Sequence, residues 1–414
     1  MGRRVVITGI GVVSPIGTGT EAFLASLRAG RSGIGRCTRF ELPDCPCGVA
    51  AEVRGFDASR TVNPKEARRM DAVDLYAVAA ARMALADAGL AVTPENRGRI
   101  GILLGTALYG AQFGEEQHGI FLREGLRKTS PYTAIAIFPC SPLGFVSIDL
   151  GITGWSNVVT ACAASGTVAI GMARDAIAEG RADAMIAGGT EAPLTPILFR
   201  GLDAARALSR EGNGRAHEAS RPYDRGRDGF VLGEGAGLVV LEGEDHARAR
   251  GARVYAEVLG CGTASGPYDT GGLGIDRETA REAIGMALDD AACRAGDIDL
   301  VCANAASEVE NDRVEAALID GQFGSAAPPV TSIRSMVGQT LGASGGLQAA
   351  AAALALREGF IPPTLHYREP DPTCPVRTLV TEGRPARLRR AILHGFGYLG
   401  IQSALVLGDA GRAA

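Results

Sequence analysis

The chain has 414 residues and a formal net charge of −4, and 46% of its residues are apolar while 21% are charged. A chain of this size exceeds one ordinary hydrophobic core, so two domains or two related halves are expected. The near balance of charge excludes a general attraction to nucleic acid or acidic membranes, and no apolar run is long enough to span a bilayer, which together predict a cytoplasmic protein.

Strands and helices alternate along the first part of the chain. The opening segment RRVVITGIGVVSPIG predicts a buried strand followed by a turn. Residues 65–90 carry apolar side chains at helical spacing and end at Gly89, a favourable residue for ending a helix. Further along we predict strands at 98–106, 156–160, 182–192 and 235–242, and a helix of small residues at 164–180.

The alternation restarts after residue 250. Strands are predicted at 253–266 and 298–307, and two more within 389–409, with helices at 278–296, 314–324 and 345–359. Strands that alternate with helices are typical of the α/β class. We therefore expect an α/β protein divided into two unequal halves, 1–250 and 251–414.

The nine cysteines do not suggest a disulfide framework, because their number is odd and the expected compartment is reducing. Cys45 and Cys47, in PDCPCG, are two residues apart, and no second pair follows at zinc-finger spacing. The favoured interpretation of this segment is a cysteine-containing loop, and a metal site is the less favoured alternative.

Cys162 is the candidate nucleophile. It lies in VVTACAASG, where a β-branched strand is followed by small residues and then by a helix. This order is typical of a nucleophile elbow, and a helix N-terminus is expected to lower the pKa of a thiol there. The alternative is a small buried cysteine, which is a common structural residue.

Five segments in one order resemble the β-ketoacyl synthase family of condensing enzymes: RRVVITGIGVVSPIG, TACAASG, SRPYDRGRDGFVLGEGAG, SIRSMVGQTLGASGG and HGFGYLGIQSALVL. The resemblance implies a thiolase-like layered α-β-α-β-α fold of two related halves. It also implies that Cys162 accepts an acyl group from the phosphopantetheine of an acyl carrier protein, with no further cofactor. The backbone N–H groups of Cys162 and Tyr398 would form the oxyanion hole.

The family motifs are altered where proton transfer takes place. The two histidines that drive decarboxylation in the family are replaced by Asn304 and Gln339, and a lysine is replaced by Arg334. Two threonines that line the pantetheine arm in the family correspond to Ala306 and Glu308. Asparagine and glutamine donate hydrogen bonds but do not exchange protons near pH 7.

The last motif differs from the family as well. The usual Gly-Phe-Gly-Gly gating loop reads Gly397-Tyr398-Leu399-Gly400, and Leu399 is expected to stiffen it because leucine does not adopt positive φ at low cost. By resemblance, Phe396 and Leu399 border the substrate. None of the five histidines lies at a family catalytic position; His394 is closest to the loop, as a structural residue or, less favoured, a substitute base.

Two further motif segments complete the comparison with the family. A family glutamate corresponds to Gln348. SRPYDRGRDGFVLGEGAG is nearly intact, and its charged residues predict a paired network that braces loops around the pocket: Arg221, Asp224, Arg227, Asp228 and Glu234. GEGAG precedes a strand and not a helix, so we reject a nucleotide site.

These observations leave two functional hypotheses. The first is a chain-length-factor-like subunit that pairs with a ketosynthase and shapes its acyl pocket without catalysing condensation. The second is a homodimeric acyltransferase that loads an acyl group on Cys162 and passes it to an oxygen, nitrogen or sulfur nucleophile. The loss of the histidines favours the first hypothesis, and the retained cysteine favours the second.

Overall fold

The computed structural model describes residues 3–41, 45–210, 214–266 and 273–410, and within these ranges no helix combines the length and apolarity needed to cross a membrane. The helices are α1 Thr20–Ala29, α2 Pro64–Ala67, α3 Ala72–Ala88, α4 Ala111–Glu124, α5 Thr133–Ala136, α6 Ser141–Leu150, α7 Ser165–Ala178, α8 Pro196–Ala204, α9 Glu244–Ala249, α10 Arg277–Asp290, α11 Val309–Phe323, α12 Arg334–Val337 and α13 Ser344–Glu358.

The strands are β1 Val5–Ser14, β2 Gly17–Thr18, β3 Ile34–Arg36, β4 Val49–Ala51, β5 Ile100–Gly105, β6 Ser156–Val159, β7 Ala184–Glu191, β8 Leu232–Gly233, β9 Gly235–Gly243, β10 Ala256–Ser265, β11 Leu300–Cys302, β12 Val330–Thr331, β13 Phe360–Ile361, β14 Arg384–Pro385, β15 Arg390–Phe396 and β16 Ile401–Gly408. Eleven of them form one mixed sheet in the order β12-β11-β15-β16-β10-β1-β9-β7-β5-β6, with β2 paired to β1. A short antiparallel contact of β1 with β10 joins the two parts of this sheet.

Helices cover both parts of the sheet. Helices α3 and α6 pack on one side of the part formed by β1, β9, β7 and β5, and α10 covers β10 and β16 on the far side of the other part. Helices α7 and α13 lie between the two parts and contact strands of both. The layers follow the order α-β-α-β-α, which confirms the predicted α/β class and thiolase-like layering. The division of the chain at residue 250 stays a prediction.

The predicted elements are found, but several differ in extent: the strand predicted within 298–307 is only β11, and the helix predicted at 278–296 ends with α10 at Asp290. The single helix predicted at 65–90 is two helices, because Asp71 and Asp74 form a capping box that starts α3 at residue 72. Helix α3 ends at Gly89 in the left-handed conformation, as predicted. Helix α11 begins at Val309, earlier than the predicted start at residue 314. Seven helices were not predicted: α1, α4, α5, α6, α8, α9 and α12.

Glycines allow the middle layer to pack backbone against backbone. A Cβ atom added to Gly346 of α13 would lie 1.9 Å from the carbonyl oxygen of Gly237 and 2.7 Å from the nitrogen of Gly189. A Cβ atom on Gly166 of α7 would lie 2.8 Å from the nitrogen of Gly346. These contacts fix the starts of α7 and α13 side by side, and Cys162 lies just before α7.

We expect Gly346→Ala to destabilise the protein by about 1–3 kcal/mol, because the new methyl group overlaps backbone atoms that cannot move independently. Gly285→Ala, in the interior of α10, is the matched control because its Cβ would meet nothing within 4 Å. There alanine should stabilise the helix by roughly 0.5–1 kcal/mol. Urea unfolding of the two variants measures the difference, and equal stabilities would contradict this account of the middle layer.

Candidate active site

Cys162 lies in a tight turn between β6 and α7. The turn Cys162–Ala164 is a short 3-10 helix that runs directly into α7, and Cys162 has a φ of 51°, which is unusual for a residue other than glycine. The hydroxyl of Ser165 donates to the carbonyl oxygen of Cys162 (2.6 Å) and accepts from the N–H of Ala161 (2.8 Å). The structure thus places Cys162 on the strand–turn–helix arrangement of an elbow.

The thiol of Cys162 differs from the sequence-based expectation. Burial raises its pKa above the usual value, although the backbone N–H groups of Tyr398 and Ala163 hydrogen-bond the sulfur and lower it. The carboxylates of Glu191 and Glu308 raise the pKa further. The predicted lowering by the helix N-terminus is therefore outweighed by burial and nearby negative charge, and the thiol form is favoured near neutral pH.

Arg334 joins the two residues that occupy the histidine positions. Its Nη1 donates to Oε1 of Gln339 (2.5 Å) and its Nη2 donates to Oδ1 of Asn304 (2.7 Å). All three side chains are buried. The serine hydroxyl of Ser344 also donates to Gln339 Oε1 (2.9 Å), and the N–H of Phe396 donates to Asn304 Oδ1 (3.1 Å). Both amide oxygens are therefore held by fixed donors, and no group in this trio can accept a proton near pH 7.

Glu308 is linked to the gating loop. The hydroxyl of Tyr398 donates to Glu308 Oε1 (2.6 Å), and Nδ2 of Asn311 donates to Oε2 (2.5 Å). Burial raises the pKa of Glu308 to about 7, with a smaller contribution from the neighbouring Asp312. Ala306, two residues earlier, is buried and packs in the same apolar cluster as Tyr398. A carboxyl group that titrates near neutral pH thus lies where the resemblance places the pantetheine arm.

The gating loop is a tight backbone turn. Leu399 has a φ of 66°, and Gly400 follows with a φ of 86°. The N–H of Gly397 donates to the carbonyl oxygen of Ile401 (2.9 Å), which closes the turn. A leucine in this conformation carries a strain of roughly 1–2 kcal/mol, as the sequence suggested, and its side chain is 67% exposed.

His394 is tied to a buried carboxylate. The residue is fully buried, its Nδ1 lies 2.8 Å from Oε1 of Glu315, and its ring stacks on Phe396 at 5.1 Å between centroids. Glu315 also accepts from the N–H of Asn304 (2.7 Å) and the hydroxyl of Tyr223 (2.9 Å). These contacts favour the structural interpretation of His394 over that of a substitute base.

Two carboxylates near the site were not predicted as site residues. Glu191 ends β7 and accepts from the N–H groups of Ala107 (2.6 Å), Leu108 (3.1 Å) and Gly342 (3.0 Å). It therefore holds the loop after β5 against the turn that precedes α13. The only sequence signal was its place directly after a strand that ends in glycines, and Glu315 had none.

The charged network predicted in the segment 220–237 is present. Arg227 is buried and donates to Asp371 (2.7 Å), to the carbonyl oxygen of Asp224 (2.9 Å) and to that of Val309 (2.8 Å). It ties the 224–227 turn to the start of α11. The other members also bond within or beside the segment: Arg221 to Gly226, Asp228 to Ser209 and Arg210, and Glu234 to Arg39 and the N–H of Val53. Gln348 donates to the carbonyl oxygens of Cys302 and Ala303.

A cavity of about 470 Å³ lies between α4 and the start of α8. It is open to the surface, and its lining combines apolar residues with polar and charged ones: Phe40, Leu194, Gln112, Arg39, Glu115, Glu116 and Arg123. One apolar cluster contains Leu194 and Phe40 as well as Cys162, so apolar side chains run continuously from the cysteine to the cavity wall.

Sequence profiles of two domains match the chain: Beta-ketoacyl synthase, N-terminal domain, over residues 2–247, and Beta-ketoacyl synthase, C-terminal domain, over residues 255–368. The 3-oxoacyl-[acyl-carrier-protein] synthase 2 of Staphylococcus aureus (strain COL) is 37% identical over 406 residues, 98% of each chain. The ishigamide ketosynthase/chain length factor has a TM-score of 0.91 at 34% identity, covering 99% of this chain and 100% of that chain. AntDE:AntF, a type II PKS acyl-carrier protein in complex with its ketosynthase, has a TM-score of 0.89 at 29% identity, again covering 99% of this chain and 100% of that chain.

The raised pKa of Glu308 predicts a pH dependence of stability. The folded state holds the proton more tightly than the unfolded chain, so this contribution is present below the usual pKa of 4.5 and is lost as the pH rises through about 7. Glu308→Gln should therefore flatten the fall in the free energy of unfolding between pH 5 and pH 8, whatever its absolute stability. Glu310→Gln, at an exposed neighbouring carboxyl, is the control. The free energy of unfolding is measured by urea at each pH. If it falls equally with pH in wild type and Glu308→Gln, the prediction is wrong.

Proposed function

The chain belongs to the β-ketoacyl synthase family, and we propose that within it this protein is a chain-length-factor-like subunit of a type II polyketide or fatty-acid pathway. In this function it pairs with a ketosynthase in the cytoplasm and shapes the acyl pocket of the heterodimer. The acyl chain is presented on the phosphopantetheine of an acyl carrier protein, and the ketosynthase subunit performs the condensation.

The observation that carries the proposal is the buried Arg334 bridge between Asn304 and Gln339. Decarboxylative condensation needs groups that stabilise an enolate and exchange a proton, which imidazoles provide in the family. Here the amide oxygens are held by a guanidinium, which stays protonated. The raised pKa of the Cys162 thiol also supports a subunit that does not start the reaction itself.

The surface offers a place for a partner subunit. Strand β6 is at the end of the large sheet, and its residues are half-buried or exposed. Apolar side chains between residues 121 and 148 are 42–81% exposed: Phe121, Leu122, Leu126, Ile135, Ile137, Phe138 and Ile148. Unpaired strand edges and exposed apolar side chains are both typical of protein interfaces. We propose that a ketosynthase of the same fold covers this face, as a homologous subunit presents a complementary edge.

The cavity supports the chain-length role. Helix α4 contributes both to the cavity, through Gln112 and Glu115, and to the exposed apolar face, through Phe121 and Leu122. A cavity beside the proposed interface can receive the far end of an acyl chain that grows on the partner subunit. Its volume then limits the number of extension steps.

Retention of Cys162 favours a second candidate, a homodimeric acyltransferase. The elbow is intact, and the N–H groups of Tyr398 and Ala163 already bond the sulfur. Transfer of an acyl group from Cys162 to an oxygen, nitrogen or sulfur nucleophile needs no decarboxylation, so the missing histidines do not exclude it.

Intact-protein mass spectrometry with acyl-carrier-protein thioesters separates the two functions. For the chain-length-factor function we expect no adduct on the isolated chain, and the heterodimer with a ketosynthase should keep product formation within about twofold of wild type when it carries Cys162→Ala. Cys140→Ala, at an exposed cysteine, controls for nonspecific thiol acylation. A wild-type mass gain that Cys162→Ala abolishes would overturn this proposal in favour of the acyltransferase.

The cavity predicts a length effect. Gln112→Trp should fill part of the 470 Å³ cavity and shift the products of the heterodimer to shorter chains, as measured by liquid chromatography and mass spectrometry. Gln112→Met keeps the side-chain volume and should leave the distribution unchanged. The same products from wild type and Gln112→Trp would contradict a role of this cavity in chain length.

A further inference from the structure

A second chemically distinctive cluster lies outside the active site, in the connection between β3 and β4. These two strands pair antiparallel, and the N–H of Cys37 donates to the carbonyl oxygen of Gly48 (2.9 Å) at the base of the connection. Cys45 and Cys47 lie near its end. The fold brings them to Asp203, which is 156 residues away from Cys47 in the sequence and belongs to the last turn of α8.

The three side chains converge on one point. One ligand atom from each of Cys45, Cys47 and Asp203 lies within 4.8 Å of the other two, and Cys47 Sγ is 3.1 Å from Asp203 Oδ1. Sulfur and oxygen ligands of a tetrahedral zinc ion are separated by about 3.5–3.8 Å, given bonds of about 2.3 and 2.0 Å. The side chains are therefore close to binding distance, and small rotations of the cysteines would complete the arrangement.

The surroundings suit a bound cation. Cys47 and Asp203 are buried, while Cys45 is half-buried and leaves a path for an ion and a water ligand. Arg210 donates to Asp203 Oδ1 through Nε (3.0 Å) and Nη2 (2.7 Å), and so orients the carboxylate, as second-sphere groups do in metal sites. Phe199 packs edge-on against Phe40 at 5.4 Å and shields one side of the cluster.

The charges of this cluster balance with and without an ion. Without metal, two neutral thiols accompany the ion pair of Asp203 with Arg210. When a divalent cation binds, both thiols release their protons to solvent, and two thiolates, one carboxylate, the cation and the guanidinium again sum to zero. No net charge is therefore buried on binding, and the main cost is the loss of the proton of Cys47, whose pKa burial and Asp203 raise.

We propose that Cys45, Cys47 and Asp203 bind a thiophilic divalent cation of the Zn²⁺ class, with water as the fourth ligand. Two thiolates and one carboxylate favour such an ion over Mg²⁺ or Ca²⁺, which prefer oxygen ligands only. The ion fastens the segment of Cys45 and Cys47 to α8. Because Phe40 and the start of α8 both line the 470 Å³ cavity, the ion holds two walls of that cavity together.

The test of this site is the metal content of the full chain, prepared without a metal-affinity tag. It does not depend on activity. Elemental analysis after dialysis against Zn²⁺ should give about one ion per chain. Replacement by Co²⁺ should produce the sulfur-to-cobalt absorption of a tetrahedral thiolate site. Cys45→Ser and Cys47→Ser should each weaken Co²⁺ binding at least about tenfold, and Asp203→Asn should weaken it while keeping the thiolate absorption.

Cys293→Ser is the matched control, since Cys293 is a half-buried cysteine far from the cluster in sequence, and it should bind Co²⁺ like wild type. Circular dichroism separates loss of metal from loss of fold; because Cys45 is half-buried, Cys45→Ser remains informative if Cys47→Ser does not fold. Absence of Co²⁺ binding in folded wild-type protein would overturn the proposal. Equal binding by wild type and both cysteine variants would overturn it too, because the ion would then be adventitious.

Discussion

The guanidinium of Arg334 is the group on which the character of the candidate active site depends. A buried cation is tolerated only where its donors meet fixed acceptors, and here the acceptors are the amide oxygens of Asn304 and Gln339. A lysine offers a single point charge, whereas the planar fork of an arginine can hold two oxygens at once. The three residues therefore form one unit that orders the centre of the site, and none of the three accepts a proton near pH 7.

The backbone around Cys162 has the geometry of a nucleophile turn, whereas the side chains at the two histidine positions, Asn304 and Gln339, do not exchange protons near pH 7. The turn before α7, the positive φ of Cys162 and the N–H group of Tyr398 next to the sulfur depend on the backbone path, which glycine contacts such as that of Gly346 fix. Asn304, Arg334 and Gln339, which replace family residues, are not part of this turn. This explains how a chain can keep the geometry of a nucleophile and still hold its thiol protonated.

Much of the fold followed from the sequence because its signals are local. The capping role of Gly89 and the strand–turn–helix around Cys162 were predicted from neighbouring residues alone, and both are present. The pKa of Cys162 was predicted in the wrong direction, because burial and the charge of Glu191 depend on segments far away in the chain. Family motifs identified positions 304, 334 and 339, but not that Arg334 bridges the other two. The contact between Asp203 and Cys47 was likewise not predicted, because the two residues are 156 positions apart in the sequence.

The Arg334 trio also bears on how this chain could change over evolutionary time. A histidine restored at position 339 alone would face the guanidinium, which disfavours the imidazolium and so weakens proton transfer. Removing Arg334 first would leave each amide oxygen with one donor, Ser344 for Gln339 and the N–H of Phe396 for Asn304, and would empty the buried space of the guanidinium. Each single step therefore breaks contacts that the other two residues of the trio make with Arg334. We therefore expect single substitutions in the trio to disturb its buried contacts before they supply a proton acceptor.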